Sequence, residues 1–253
     1  PSVAELRPVC QPDSIMGRVS AEHWAGRLYG RRISLHLTRV LLATRITPDG
    51  VTWLMIASGV LAVLLLGVPG VWTALGVVVL IQLQLIFDCS DGEIARWRNK
   101  TGATGVYLDR IGHYCTDAGL VAALGVRAGG GYASIDGWTT FGLFTALLVL
   151  FVKAETDLVH VARAYAGMPV LTDEEAVPRP SSVRTIRRLI TYLPFHRVLL
   201  AIELSALALL AALGDAALGD LTATRWLTLA LLPVAFVVVG GHLFSILVSR
   251  RLR

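Results

Sequence analysis

Asp88, Asp91, Asp109 and His113 are residue types that hold a hard cation or move a proton, and they fall within one short stretch of the chain. Asp88 and Asp91 are three apart and Asp109 and His113 four apart, so on helices each pair shares a face. Two such helices side by side make a polar pocket. Carboxylates gathered that closely at a membrane boundary repel one another unless a cation joins them. A divalent ion with oxygen ligands, Mg2+ or Mn2+, answers that need and would neutralise a bound pyrophosphate. Gly92, Ala95 and Gly105 remove side-chain bulk where a flat or anionic group approaches the backbone, and Arg96 offers a fork for phosphate oxygens.

The elements that must position these groups are membrane helices. Of 253 residues, 55% are hydrophobic and only 16% charged, against about 25% charged in ordinary soluble domains. A mean hydropathy of +0.64 agrees. The net charge of +5 raises nucleic acid as a partner, but only two basic residues, Lys100 and Lys153, are lysines, and many arginines flank apolar runs. Membrane topology explains that excess better, so no nucleic-acid partner is expected. Cys10, Cys89 and Cys115 are an odd number without metal-knuckle or redox spacing, which argues against a disulfide framework. The N-terminus lacks the apolar core of a secretory signal, so insertion is expected to rely on the spans themselves.

The expected fold is all-α and integral to the membrane: six transmembrane helices plus an N-terminal amphipathic juxtamembrane helix. Residues 1–46 read as a cytoplasmic segment and 47–253 as the membrane domain. Between Gly17 and Arg45, Trp24, Leu28, Leu35 and Val40 alternate with Arg18, Arg27, Arg31, Arg32 and Arg39, the makeup of a helix lying on an anionic leaflet. Thr47-Pro48-Asp49-Gly50 then breaks the chain and caps the first span, about 51–66. A turn at Gly67–Gly70 leads to a second span from about 71 into Phe87, continuing as helix through Arg96. A third helix carries Asp109, His113 and Asp117, and Gly129-Gly130-Gly131 follows it. The fourth span begins at Trp138, the fifth runs from about 198 to 213 and the sixth from about 226 to 248, with a long polar connection at 167–194. The expected outer links hold Arg127 and Arg225 alone, so both termini and the 88–117 stretch are expected to face the cytoplasm.

A single intramembrane Asp often serves only as a helix-to-helix hydrogen-bonding residue, and glycine as a packing device. Here seven positions follow D-x2-D-G-x2-A-R-x8-G-x3-D, and after a further three residues comes His113. That pattern closely resembles the signature of the CDP-alcohol phosphotransferase family, in which a fourth Asp stands where this chain has His113. Pro48-Asp49-x2-Thr52 also resembles a segment found before the family's first span. The resemblance implies a six-helix, usually dimeric enzyme with a cytoplasmic active site and two metal ions. It implies that Asp88, Asp91 and Asp109 hold the metal against the pyrophosphate of a CDP-alcohol donor, with Thr52, Gly92, Ala95, Arg96 and Gly105 around it. An acceptor hydroxyl then attacks the phosphorus distal to cytidine and CMP leaves.

In the family the fourth Asp is the expected base. His113 could take the proton or join the metal ligands, and Asp117, one turn on, could orient His113 or replace the missing carboxylate. Lys153, Arg163 and Arg197 would suit a phosphorylated polyol acceptor, since guanidinium pairs well with phosphate. Equally, the two arginines could be positive-inside anchors and Lys153 could snorkel to the interface. The leading expectation is an enzyme of a bacterial plasma membrane, working on lipids as a homodimer. The alternatives are a CDP-lipid binding protein that has lost catalysis with its fourth Asp, and an ion-coupled transporter using the Asp and His cluster as a relay.

Overall fold

The computed structural model describes residues 1–16, 23–133, 135–169, 195–249 and 252. They are helical, with no strand among them. Arg18, most of the polar connection at 167–194, and Arg250, Arg251 and Arg253 lie outside the described residues. The elements are α1 (Val3–Cys10), α2 (Asp13–Met16), a π-helical turn (Gly26–Gly30), α3 (Arg31–Leu42), α4 (Pro48–Leu66), α5 (Val71–Trp97), α6 (Ala103–Ala128) and α7 (Gly137–Tyr165). A 3-10 turn (Phe195–Leu199), α8 (Ala201–Leu218) and α9 (Thr222–Val248) complete the order. Helices α4, α5, α8 and α9 are each long and apolar enough to cross a membrane. The described residues group into two compact units, 1–62 with 77–116 and 63–76 with 117–253.

In the first unit, α4 starts where the sequence asks it to. Pro48 takes the first helical position, where a missing N–H costs nothing, and the Thr47 hydroxyl accepts the Gly50 amide at 3.1 Å. The N-terminal helices pack on α5. Leu6, Cys10 and Leu35 form a buried cluster with Val3, Leu42 and Trp97 against it. On α3 the face turned inwards is Ser34, Leu35 and Thr38, while Ile33 and Val40 are exposed, as is Leu28 in the π-helical turn before it. Gln84 on α5 donates to the Thr116 hydroxyl of α6 at 2.8 Å, and both side chains are buried. Gly112 lets α4 and α6 meet, because a Cβ there would lie 2.3 Å from Met55 Cε.

In the second unit, the Arg127 guanidinium donates to the carbonyls of Val68 at 3.0 Å and Gly70 at 2.9 Å, holding the turn between α4 and α5. Helix α6 ends at Ala128 because Gly130 and Gly131 take φ values of 100° and 113°, open to glycine and strained for other residues. Asp136 then caps α7 by accepting the Thr139 amide at 3.0 Å. The fifth apolar run begins later than its composition suggests. Leu200 is extended, with φ −87° and ψ 150°, so α8 starts at Ala201.

Gly125 of α6 and Gly142 of α7 bring backbone against backbone. A Cβ on Gly142 would sit 2.7 Å from Gly125 Cα and 3.2 Å from the Ala122 carbonyl oxygen. Gly142→Ala is therefore expected to destabilise the protein by about 1–3 kcal/mol, the usual cost of overpacking. Thermal denaturation in detergent measures this, and an unchanged midpoint would show that the crossing yields.

Candidate metal centre

The spacing of three and four residues on α5 and α6 does bring side chains together. One ligand atom each from Asp88, Asp109 and His113 lies within 4.8 Å of the other two. His113 Nε2 is 3.3 Å from Asp88 Oδ1 and 3.4 Å from Asp109 Oδ1. All three side chains are partly exposed. Two carboxylate oxygens and one imidazole nitrogen at this separation suit a divalent cation.

Asp91 is held differently. The buried Thr52 hydroxyl of α4 donates to Asp91 Oδ2 at 2.7 Å, and the Gly92 amide donates to Oδ1. Thr52 thus orients a carboxylate next to the centre, with its hydroxyl spent inside the protein. Thr52→Ala should lower activity about 10-fold, the low end for losing a hydrogen bond that aims a metal-site carboxylate. Thr52→Ser, which keeps the hydroxyl, should restore most of it. Equal rates for the alanine variant and the parent would remove Thr52 from the site.

Arg96 donates from Nε to the Cys10 carbonyl at 2.7 Å, so part of its fork is committed to the N-terminal helices. A Cβ on Gly92 would meet Arg96 Nη1 at 3.1 Å, which makes Gly92 the residue that leaves room for this guanidinium. Ala95 is half-buried on the same helix, and Gly105 near the start of α6 faces Asp49 Oδ1 at ordinary contact distance.

Residues singled out further along the chain belong to the second unit. Asp117 is buried there, its Oδ1 accepting the Ala201 amide at 2.8 Å and its Oδ2 pairing with Lys153 Nζ at 2.6 Å. It supplies the N-terminal cap that Leu200 cannot, from 84 residues away. Arg163 is buried and donates twice to the Pro169 carbonyl, from Nη2 at 2.7 Å and from Nε at 3.0 Å. Arg197 is half-buried in the 3-10 turn before α8.

Two polar features near the centre have no place in the sequence pattern. The Gln84 to Thr116 bridge lies one turn before Asp88 and about one turn beyond His113, so it fixes the register of α5 against α6. Glu93 is wholly buried and accepts from Ser34 Oγ at 2.6 Å, Thr38 Oγ1 at 2.7 Å and Gln11 Nε2 at 2.7 Å, with Arg31 Nη1 3.9 Å away. Charged residues in the unassigned positions of a motif are the only signal that could have found it.

Comparison with known proteins adds one match. The sequence model of the CDP-alcohol phosphatidyltransferase family matches residues 45–155. No curated protein matches the chain. With four apolar helices, the family match marks an integral membrane protein.

Proposed function

We propose that the chain moves a substituted phosphoryl group from a CDP-alcohol donor, such as CDP-diacylglycerol, to a hydroxyl acceptor, a reading supported by the match of residues 45–155 to the CDP-alcohol phosphatidyltransferase family. The new bond joins the acceptor oxygen to the phosphorus distal to cytidine. The bond from that phosphorus to the bridging oxygen breaks, CMP leaves with the electron pair on that oxygen, and the acceptor hydroxyl passes its proton to solvent water that reaches the partly exposed centre. The observation that carries this reading is the convergence of Asp88, Asp109 and His113 within 4.8 Å inside the family-matched segment.

In this reading Asp88, Asp109 and His113 hold a divalent ion, Mg2+ or Mn2+, with Asp91 aimed beside them by Thr52. When bound, the ion neutralises the donor's pyrophosphate. The chain's own work is positioning, which supplies most of the rate in phosphoryl transfer. Gly92, Ala95 and Gly105 keep the helix surfaces low, and Arg96 braces the end of α5. Asp117 is a positioning residue that sets Lys153 and the start of α8. A phosphorylated polyol is the acceptor this reading favours.

The proposed architecture has six spans, because α6 and α7, with 26 and 29 residues, are also long enough to cross at about 1.5 Å per residue. Residues 1–46 lie along the cytoplasmic surface of a plasma membrane, a reading supported by the exposed Leu28, Ile33 and Val40 among arginines. Residues 47–253 make the membrane domain, and the family resemblance favours a homodimer.

Purified protein given CDP-diacylglycerol and, in turn, inositol phosphate, glycerol phosphate and an unphosphorylated polyol should release CMP with one of them and a divalent ion. No release with any pairing would sink the proposal. A second reading, a CDP-lipid binding protein without catalysis, is favoured by the imidazole seated between two carboxylates. A large gain of CMP release on His113→Asp would establish it.

A further inference from the structure

We infer that the centre formed by Asp88, Asp109 and His113 selects a divalent transition ion over Mg2+, with His113 Nε2 as the discriminating donor. The inference rests on the reading that these residues hold the ion, and is independent of which acceptor is used.

His113 Nε2 approaches the Asp88 and Asp109 oxygens at 3.3 and 3.4 Å, so any ion that both carboxylates reach also lies within reach of the imidazole. Asp91 stands apart from the three atoms that lie within 4.8 Å of one another, and Thr52 and the Gly92 amide hold its carboxylate beside them. The three donors therefore bring two negative charges and one nitrogen, where a fourth aspartate would have brought three charges and only oxygen. Mg2+ prefers oxygen, holds its waters tightly and depends on ligand charge. Imidazole suits Fe2+, Ni2+ and Zn2+, and affinity for such a site rises from Mn2+, which shares the preference of Mg2+ for oxygen, through Co2+ to Ni2+. Exchanging a carboxylate for His113 lowers Mg2+ affinity and spares or raises that of the transition ions.

The test uses the full chain in detergent, stripped with chelator and titrated separately with Mg2+, Mn2+ and Co2+ without nucleotide, followed by calorimetry. The parent should bind Co2+ about 100-fold more tightly than Mg2+, with Mn2+ between them. Pulsed electron spin resonance of the Mn2+ form should show nitrogen coupling. His113→Asp should tighten Mg2+ and bring the two ions to within about 10-fold, and His113→Gln should abolish the nitrogen coupling. Gel filtration and melting confirm that both variants are folded. Equal Mg2+ and Co2+ affinity in the parent, or nitrogen coupling that survives in His113→Gln, overturns the inference.

The same samples separate this claim from the proposed reaction. Selectivity without CMP release from any CDP-alcohol would leave the inference standing and remove the reaction. CMP release by a protein that binds Mg2+ as tightly as Co2+ would do the reverse.

Discussion

Replacing Glu93 by alanine is expected to lower stability by about 3–5 kcal/mol, the cost of removing one partner from a buried charged network. That corresponds to a fall of about 10 °C in the melting midpoint. The size follows from what the carboxylate does. With no exposed surface, it takes hydrogen bonds from Ser34, Thr38 and Gln11 and faces Arg31. Alanine takes the carboxylate acceptor away from the buried Ser34 and Thr38 hydroxyls and from the half-buried Gln11 amide, and removes the negative charge that faces Arg31. Glu93→Gln keeps the shape and one acceptor oxygen, and should lose less. Cys10 reports the same event chemically. It is buried, its thiol donates to the Glu93 carbonyl at 3.4 Å, and burial and the nearby Glu93 charge push its pKa up to about 11. Only about one thiol in a thousand is then ionised at pH 8, so Cys10 should resist alkylation in the parent and react in Glu93→Ala, as peptide mass mapping would detect. A variant that melts like the parent with Cys10 still protected would mean that α1 and α3 are held on α5 by other contacts.

Asp109→Asn should reduce CMP release by about 100- to 1,000-fold, in the range found when a group that stabilises transition-state charge is removed. Asp109 Oδ1 is one of the three atoms that gather at the centre, and its distance to His113 Nε2 is 3.4 Å. The amide keeps the volume and loses the charge, so the melting midpoint should barely move while turnover collapses. An Asp109→Asn protein that turns over like the parent would show that the reaction does not use this cluster.

The site was legible wherever chemistry follows chain order. Intervals of three and four put Asp88 with Asp91 and Asp109 with His113 on helical faces, and the run of apolar residues announced helices to carry them. Contacts between distant segments were not legible, because a hydrogen bond to a backbone group leaves no mark on residue type. Asp117 illustrates this. From its spacing it belongs with His113, but its carboxylate is occupied by Lys153 and by an amide 84 residues away. Arg96 was read as a phosphate fork, and its Nε is directed to the carbonyl of Cys10. Thr52 was read as facing a ligand, whereas its hydroxyl aims Asp91. In each case the partner is a neighbour in space that no local pattern encodes.

The network around Glu93 also bears on biogenesis. All four of its partners, Gln11, Arg31, Ser34 and Thr38, precede it in the chain, whereas the partners of Asp88 follow on α6. As α5 leaves the ribosome, one acidic residue near its end finds donors already made, while the other waits for the next helix. Chain order thus predicts that the N-terminal helices dock on α5, giving Glu93 its partners, before α6 has emerged. Nascent chains arrested when the end of α5 has just cleared the ribosomal tunnel should already protect Cys10 from alkylation, and full reactivity at that length would place the docking after α6 has emerged.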